Sequence, residues 1–150
     1  MPDSAATTLH RVRRLLLGLL AFGLAGTTLE LWLIGHYEDW WQVVPLAVMV
    51  ASAVAAAWLA VSWSARVARV FRLSMLLLMF SGATGAVLHF RANSEFQLEM
   101  DPSIGGMALV SKVLHAKAPP TLAPGNLALL GLLGLVGAWR ISDHSTTTRS

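Results

Sequence analysis

Long apolar runs separated by short polar segments are the feature that most limits what this chain can fold into. The first run begins at Leu15, directly after a basic segment, and its apolar character continues through Ile34. A helix needs about 20 apolar residues to cross the hydrocarbon core of a bilayer. Lipid offers no partner for backbone polar groups, so a spanning segment of this kind must be helical. The run therefore predicts a transmembrane helix over residues 15–37.

A cleaved signal peptide is the alternative interpretation of this first run. The basic segment before it and the small residues near Ala25 fit that pattern. However, the apolar core of a signal peptide is only about 7–15 residues long, and here apolar residues continue well past Ala25. We therefore favour a retained transmembrane helix.

Three further apolar runs extend the pattern to four helices. They predict helices over residues 43–63, 73–90 and 126–141, with an outer loop at 91–125 and a polar tail at 142–150. Glycine recurs in the last run at Gly131, Gly134 and Gly137. Small residues at this spacing allow close approach between membrane helices. The predicted fold is all-α, a single-domain integral membrane four-helix bundle.

Composition supports a membrane protein and removes several functional classes. Hydrophobic residues make up 55% of the chain and charged residues 13%, whereas roughly a quarter of residues are charged in soluble domains. There are no cysteines, which excludes disulfides, thiolate metal sites and cysteine nucleophiles. The sequence contains no phosphate-binding loop, no nucleophile elbow and no nucleic-acid module. A non-enzymatic role is therefore favoured, and no nucleic-acid partner is expected.

The basic residues are distributed unequally between the two sides of the predicted membrane. Eight fall on one side: Arg11, Arg13, Arg14, Arg66, Arg69, Arg72, Arg140 and Arg149. Three fall on the other: Arg91, Lys112 and Lys117. Positive charge in short loops marks the cytoplasmic side. Both termini are therefore predicted to be cytoplasmic, in a bacterial inner membrane.

The outer loop contains a predicted amphipathic helix that lies on the membrane surface. Asp101 is its predicted N-cap, and Pro102 fits the first helical position. The apolar residues on its predicted face are Met107, Val110, Val113 and Leu114. Proline restricts the backbone to extended conformations before it. An extended return to the last helix is therefore predicted through Pro119, Pro120 and Pro124.

Polar side chains follow the outer ends of the first and third helices, which an up-and-down order brings to the same face. The predicted ligands of a divalent metal or another cation there are His36, Glu38, His89 and Glu95. The other polar residues of this outer mouth are Asp39, Gln42, Asn93 and Glu99. Imidazole and carboxylate donors suit zinc, copper, manganese or iron. The spacing matches no defined metal motif, and structural hydrogen bonding is the alternative role.

Glu30 is an ionisable residue inside the first apolar run. A charge at membrane depth costs several kcal/mol unless it is paired, protonated or hydrated, so such residues commonly belong to ion or proton pathways. Glu30 is predicted to face the bundle. The alternative is a hydrogen bond to a neighbouring helix that only fixes packing.

Three functional hypotheses follow. The leading one is a non-enzymatic accessory or cation-binding membrane subunit, which works as a homo-oligomer or within a membrane complex because its small residues suit helix contacts. The alternative is a component of a proton-coupled transporter or channel that uses Glu30. A second alternative is a redox or electron-transfer subunit, for which the sequence carries no cofactor motif.

Overall fold

A computed structural model describes residues 3–116, 122–139 and 141; within them, 86% of the residues are helical and none is in a strand. The helices of this part of the chain are α1 (Asp3–Leu33), α2 (Trp40–Val61), α3 (Ala65–Met100), α4 (Gly106–Leu114) and α5 (Leu122–Gly137). By length and composition, α1, α2 and α3 can each cross a membrane. Helix α5 is apolar but has only 16 residues. The all-α prediction with membrane-length helices is confirmed.

The first three helices begin earlier than predicted, whereas α1 ends at Leu33 and α2 at Val61, before their predicted ends at residues 37 and 63. Helix α1 begins at Asp3 and not near residue 15, because the basic segment is itself helical. Helix α3 begins at Ala65, so its arginines lie in the first turns of the helix and not in a polar turn. The hydroxyl of Ser64 accepts a hydrogen bond from the Val67 amide at 3.3 Å. This N-cap satisfies one of the free amides of the first turn.

Helix α5 begins four residues before its predicted start. Pro124 lies buried in its first turn and not in an extended segment, since a proline in that turn removes no hydrogen bond that the helix could make. The helix ends at Gly137, short of the predicted residue 141. The predicted conformations at Pro119 and Pro120, and of the tail at 142–150, lie outside the described residues.

A helix is present in the predicted 91–125 loop, but its predicted start is wrong. Asp101 closes α3, since its amide donates to the Gln97 carbonyl at 3.0 Å. Its carboxylate accepts a hydrogen bond from the Ser103 amide at 3.1 Å, and Gly105 is the N-cap of α4. The predicted apolar face is divided, because Val113 is fully buried whereas Met107 is 80% exposed.

The four longer helices pack in a cyclic order. Helix α1 packs against α2 and α5, and α3 packs against the same two neighbours. Within the described residues the backbones of α1 and α3 do not approach each other, nor do those of α2 and α5. The fully buried side chains that fill the centre include Leu20, Leu24, Met49, Leu59, Phe71, Met75 and Leu78.

Glycines bring α3 and α5 into close contact. A Cβ atom at Gly82 would lie 2.5 Å from the Pro124 carbonyl oxygen, and one at Gly131 would lie 2.7 Å from the Met75 carbonyl oxygen. These distances are far below van der Waals contact. The predicted role of the repeated glycines in close helix contact is therefore confirmed for this pair. In lipid such packing is a main source of helix association.

Polar contacts define the two ends of the molecule. At one end, the Arg13 guanidinium donates to the Trp139 carbonyl at 2.6 Å, and the His10 ring lies 5.0 Å from the Trp63 ring. We call this the arginine end. The opposite end, formed by the 34–39 turn and the part of α3 beside it, is the histidine end. Between them, the Asn126 amide donates to the Thr27 hydroxyl at 2.6 Å and joins α5 to α1.

Candidate two-histidine site

The turn after α1 positions the first histidine of the site. Gly35 has φ +72°, in the left-handed region that glycine adopts without strain. The Gly35 amide donates to the Trp32 carbonyl, and the His36 amide donates to the Leu31 carbonyl at 2.8 Å. This is a Schellman motif, in which glycine at the C′ position ends the helix. His36 therefore follows the helix end in a fixed backbone geometry.

The second histidine lies on α3 and meets the first across the histidine end. The rings of His36 and His89 are 6.1 Å apart between centroids, and their planes are inclined by 18°. His36 is half-buried, whereas His89 is exposed. The predicted convergence of the α1 end with α3 is therefore seen in the structure. The turn after α1 makes this contact, because α1 and α3 themselves lie diagonally opposite each other among the four longer helices.

Burial and the neighbouring imidazole both favour the neutral form of His36. Desolvation lowers the pKa of His36 below 6.5, and repulsion from the charge of His89 lowers it further. The folded chain therefore binds fewer protons at this position than the unfolded chain. The free energy of unfolding is therefore highest above pH 6.5, where His36 is neutral. It decreases as the pH falls through that value toward the folded pKa, because protonation of His36 favours the unfolded chain.

Acidification from about pH 7.5 to 5.5 is expected to destabilise the wild-type chain more than a His36→Asn variant, which has no titrating side chain there. Solvent screening at a half-exposed site keeps the difference below about 1 kcal/mol, which is at most about 2–4 °C for a chain of this size. Thermal unfolding at both pH values measures it. An equal loss in both proteins would contradict the assignment.

The carboxylates predicted as further ligands do not gather around the histidine pair. Glu95 lies six residues beyond His89, which places it about 240° around the helix. It lies 4.0 Å from Arg91, and both side chains are about 70% exposed, so this ion pair is weak. Glu38 is exposed. Within the described residues no group of three or more His, Asp or Glu side chains is arranged to hold a metal ion.

The remaining predicted polar residues have mixed positions. The Gln42 side-chain oxygen accepts from the Glu38 amide at 3.0 Å and the Asp39 amide at 3.4 Å, so it satisfies the turn backbone. Asn93 lies one turn beyond His89 and shares its helix face. Glu99 is exposed near the end of α3. Of these residues, Asn93 is the one on the helix face that carries His89.

Glu30 does not face the other helices as predicted. It is exposed, whereas Thr27, three residues earlier, is buried against α5 and bonded to Asn126. Side chains three residues apart on a helix point about 60° apart. This difference from the direction of Thr27 is enough to place Glu30 outside the interface. Glu30 does not line the groove between α1 and α2 or the groove between α2 and α3.

No known protein family, curated protein or solved structure matches this chain significantly. The function is therefore argued from geometry. The sequence reasoning missed the part played by Gly35, although a glycine just after an apolar helical run is the usual sign of a helix C-terminus. It also missed the bond between Thr27 and Asn126, two polar residues at apolar positions.

Proposed function

We propose that this protein is a non-enzymatic integral membrane protein whose outer end binds a divalent cation through His36 and His89. The observation that carries the proposal is the near-parallel pair of imidazole rings, 6.1 Å apart, contributed by two separate segments. Two zinc–nitrogen bonds of about 2.0–2.1 Å hold their nitrogens within about 4 Å of each other. Rotation about the side-chain torsions of the two histidines would bring one nitrogen of each ring within that reach.

The chemistry of the pair favours a borderline transition metal. Imidazole suits zinc, copper and nickel, whereas magnesium and calcium prefer oxygen ligands. A metal binds the neutral imidazole, and the lowered pKa of His36 favours that neutral form. Two protein ligands leave the other positions of a tetrahedral ion open. Water or a carboxylate of a partner protein would complete the site.

The proposed placement is a four-helix membrane bundle in a bacterial inner membrane, with both termini in the cytoplasm. It is supported by the cyclic packing of the four longer helices and by Arg13 at the same end as the arginines that begin α3. Positive charge concentrates on the cytoplasmic side. Helix α5 is about 24 Å long at 1.5 Å per residue, which is short of the about 30 Å core; a locally thinned bilayer would accommodate it.

An accessory role is supported by apolar side chains outside the proposed membrane core. Helix α3 has 36 residues, or about 54 Å, so its last turns extend past His89. Phe96 and Met100 there are 58% and 71% exposed, and Met107 on α4 is 80% exposed. Exposed apolar side chains near a cation site suit docking to a membrane partner or to a second copy.

Zinc addition to the purified protein in nanodiscs tests the proposal. We expect one zinc ion per chain, with changes in the imidazole nitrogen resonances of two of the five histidines. Metal retention after buffer exchange and nitrogen NMR measure these two quantities. Retention of no zinc, or resonance changes confined to other histidines, would contradict the proposal.

A further inference from the structure

A groove of about 280 Å³ runs along the surface between α1 and α2. Its lining is almost entirely apolar and consists of Arg14, Leu17, Gly18, Ala21, Ala53, Ala56, Ala57 and Ala60. Apart from Arg14 and Leu17, every lining residue is glycine or alanine. The groove therefore exists because small side chains on both helices leave the space between them unfilled.

The groove opens to the surroundings of the protein and not to its core. Gly18, Ala21 and Ala57 are exposed, and a Cβ atom at Gly18 would meet nothing within 4 Å. Helices α1 and α2 are both of membrane-spanning length and composition. In a bilayer, the space would therefore be filled by lipid chains or by another helix.

The one charged lining residue is at the arginine end of the groove. Arg14 is exposed, and Arg11 lies three residues earlier on the same helix face. Helix α1 passes from Arg14 to the apolar lining residues within one turn, as expected where a helix crosses from headgroups to hydrocarbon. A guanidinium binds phosphate through paired hydrogen bonds. Charge and apolar surface are thus arranged in the order of a phospholipid headgroup and its chain.

Length and charge favour an acyl chain over a helix as the occupant of the groove. From Arg14 to Ala21 the groove extends about 10 Å along α1 at 1.5 Å per residue, which lies within the roughly 15 Å depth of one leaflet. A second helix could pack over the same small residues. The basic residue at one end of the apolar channel favours a phospholipid, because its phosphate and its acyl chain follow each other in the same order.

We propose that this groove binds one anionic phospholipid from the leaflet at the arginine end, with its phosphate on Arg14 and one acyl chain along Gly18 and Ala57. The inference rests on the proposed membrane placement and is independent of the histidine pair. Negatively charged headgroups are attracted to basic residues at the membrane surface. The bound lipid would fill a packing defect between α1 and α2.

Native mass spectrometry of protein released from nanodiscs with equal phosphatidylglycerol and phosphatidylcholine tests the proposal. We expect the wild-type monomer to retain one phosphatidylglycerol in preference to phosphatidylcholine. Arg14→Gln should lower that preference about fivefold, the value of one basic residue at a membrane surface. Gly18→Leu should lower retention of both lipids, because leucine fills the groove.

Two matched variants control for charge and for bulk. Arg69→Gln removes an exposed arginine of α3 that does not line the groove. Gly26→Leu adds the same side chain to α1 at a position where a Cβ also meets nothing within 4 Å. Both should retain phosphatidylglycerol as the wild type does.

Three results would overturn the inference. One is equal retention of the two lipids by the wild type, and another is unchanged retention in Gly18→Leu. The third is a lipid-free dimer that Gly18→Leu converts to monomer, which would make the groove an interface between copies. None of these results affects zinc binding at the other end, so the two proposals fail separately.

Discussion

Replacing Gly82 with leucine is expected to destabilise the folded chain by about 3 kcal/mol, the upper part of the usual range for overpacking. A Cβ there would lie 2.5 Å from the Pro124 carbonyl oxygen and 2.9 Å from the Ala128 amide nitrogen. Both neighbours are backbone atoms, so α3 and α5 must separate. For a chain of this size the unfolding midpoint should fall by about 6–12 °C. Thermal unfolding in micelles, followed by circular dichroism, measures it.

Gly26→Leu is the matched control for this experiment. It makes the same chemical change on another apolar helix, at a position where a Cβ meets nothing within 4 Å. Leucine is also the better helix former by up to about 1 kcal/mol. The control midpoint should therefore equal or exceed that of the wild type. Equal midpoints for both variants would contradict close contact between α3 and α5.

Zinc affinity is expected to fall at least about tenfold in either His36→Ala or His89→Ala, a loss of about 1.4 kcal/mol or more. Each substitution leaves only one imidazole at the site. The double variant should bind no more weakly than the weaker single variant, since one remaining ligand contributes little without the other. Such non-additivity is the signature of two residues acting as a unit. Competition against a chelator of known affinity measures the zinc affinity of the two single variants and the double variant.

His115→Ala is the control for histidine number. His115 is exposed after α4, and its Nδ1 lies 2.8 Å from the Ser111 carbonyl oxygen. It is thus an exposed histidine that does not belong to the ring pair. Its removal should leave zinc affinity unchanged. Additive losses at His36 and His89, or an equal loss at His115, would contradict a shared two-histidine site.

The helices were predictable from hydropathy, but their ends were not. Apolar runs gave the positions of α1, α2, α3 and α5 because a membrane selects for helix length and low charge. Hydropathy cannot detect polar helical turns. Some helical turns have the polar composition of a loop. They are the turns of α1 and α3 that carry Arg11, Arg66 and Glu95. Pro124 was misread for a related reason, since proline suits the first turn of a helix as well as an extended segment.

The candidate site was predictable in its main pair and not in its surroundings. Helix order alone placed His36 and His89 at one end, because consecutive helices alternate in direction. The further ligands depended on rotation around α3, where the six-residue separation of Glu95 from His89 turns it to another face. The direction of Glu30 depended on which helices flank α1. That is a property of tertiary packing that one sequence does not contain.

The uninterrupted length of α3 has a mechanical consequence. One helix of 36 residues, about 54 Å long, carries the arginines of one end, the glycine contacts with α5 and His89 of the other. No helix break separates these parts, so a tilt of α3 at one end would be carried to the other. If the proposed cation drew His89 toward His36, the same helix would also displace Arg66 and Arg72. Occupancy at the histidine end would then be linked to the position of charge at the arginine end.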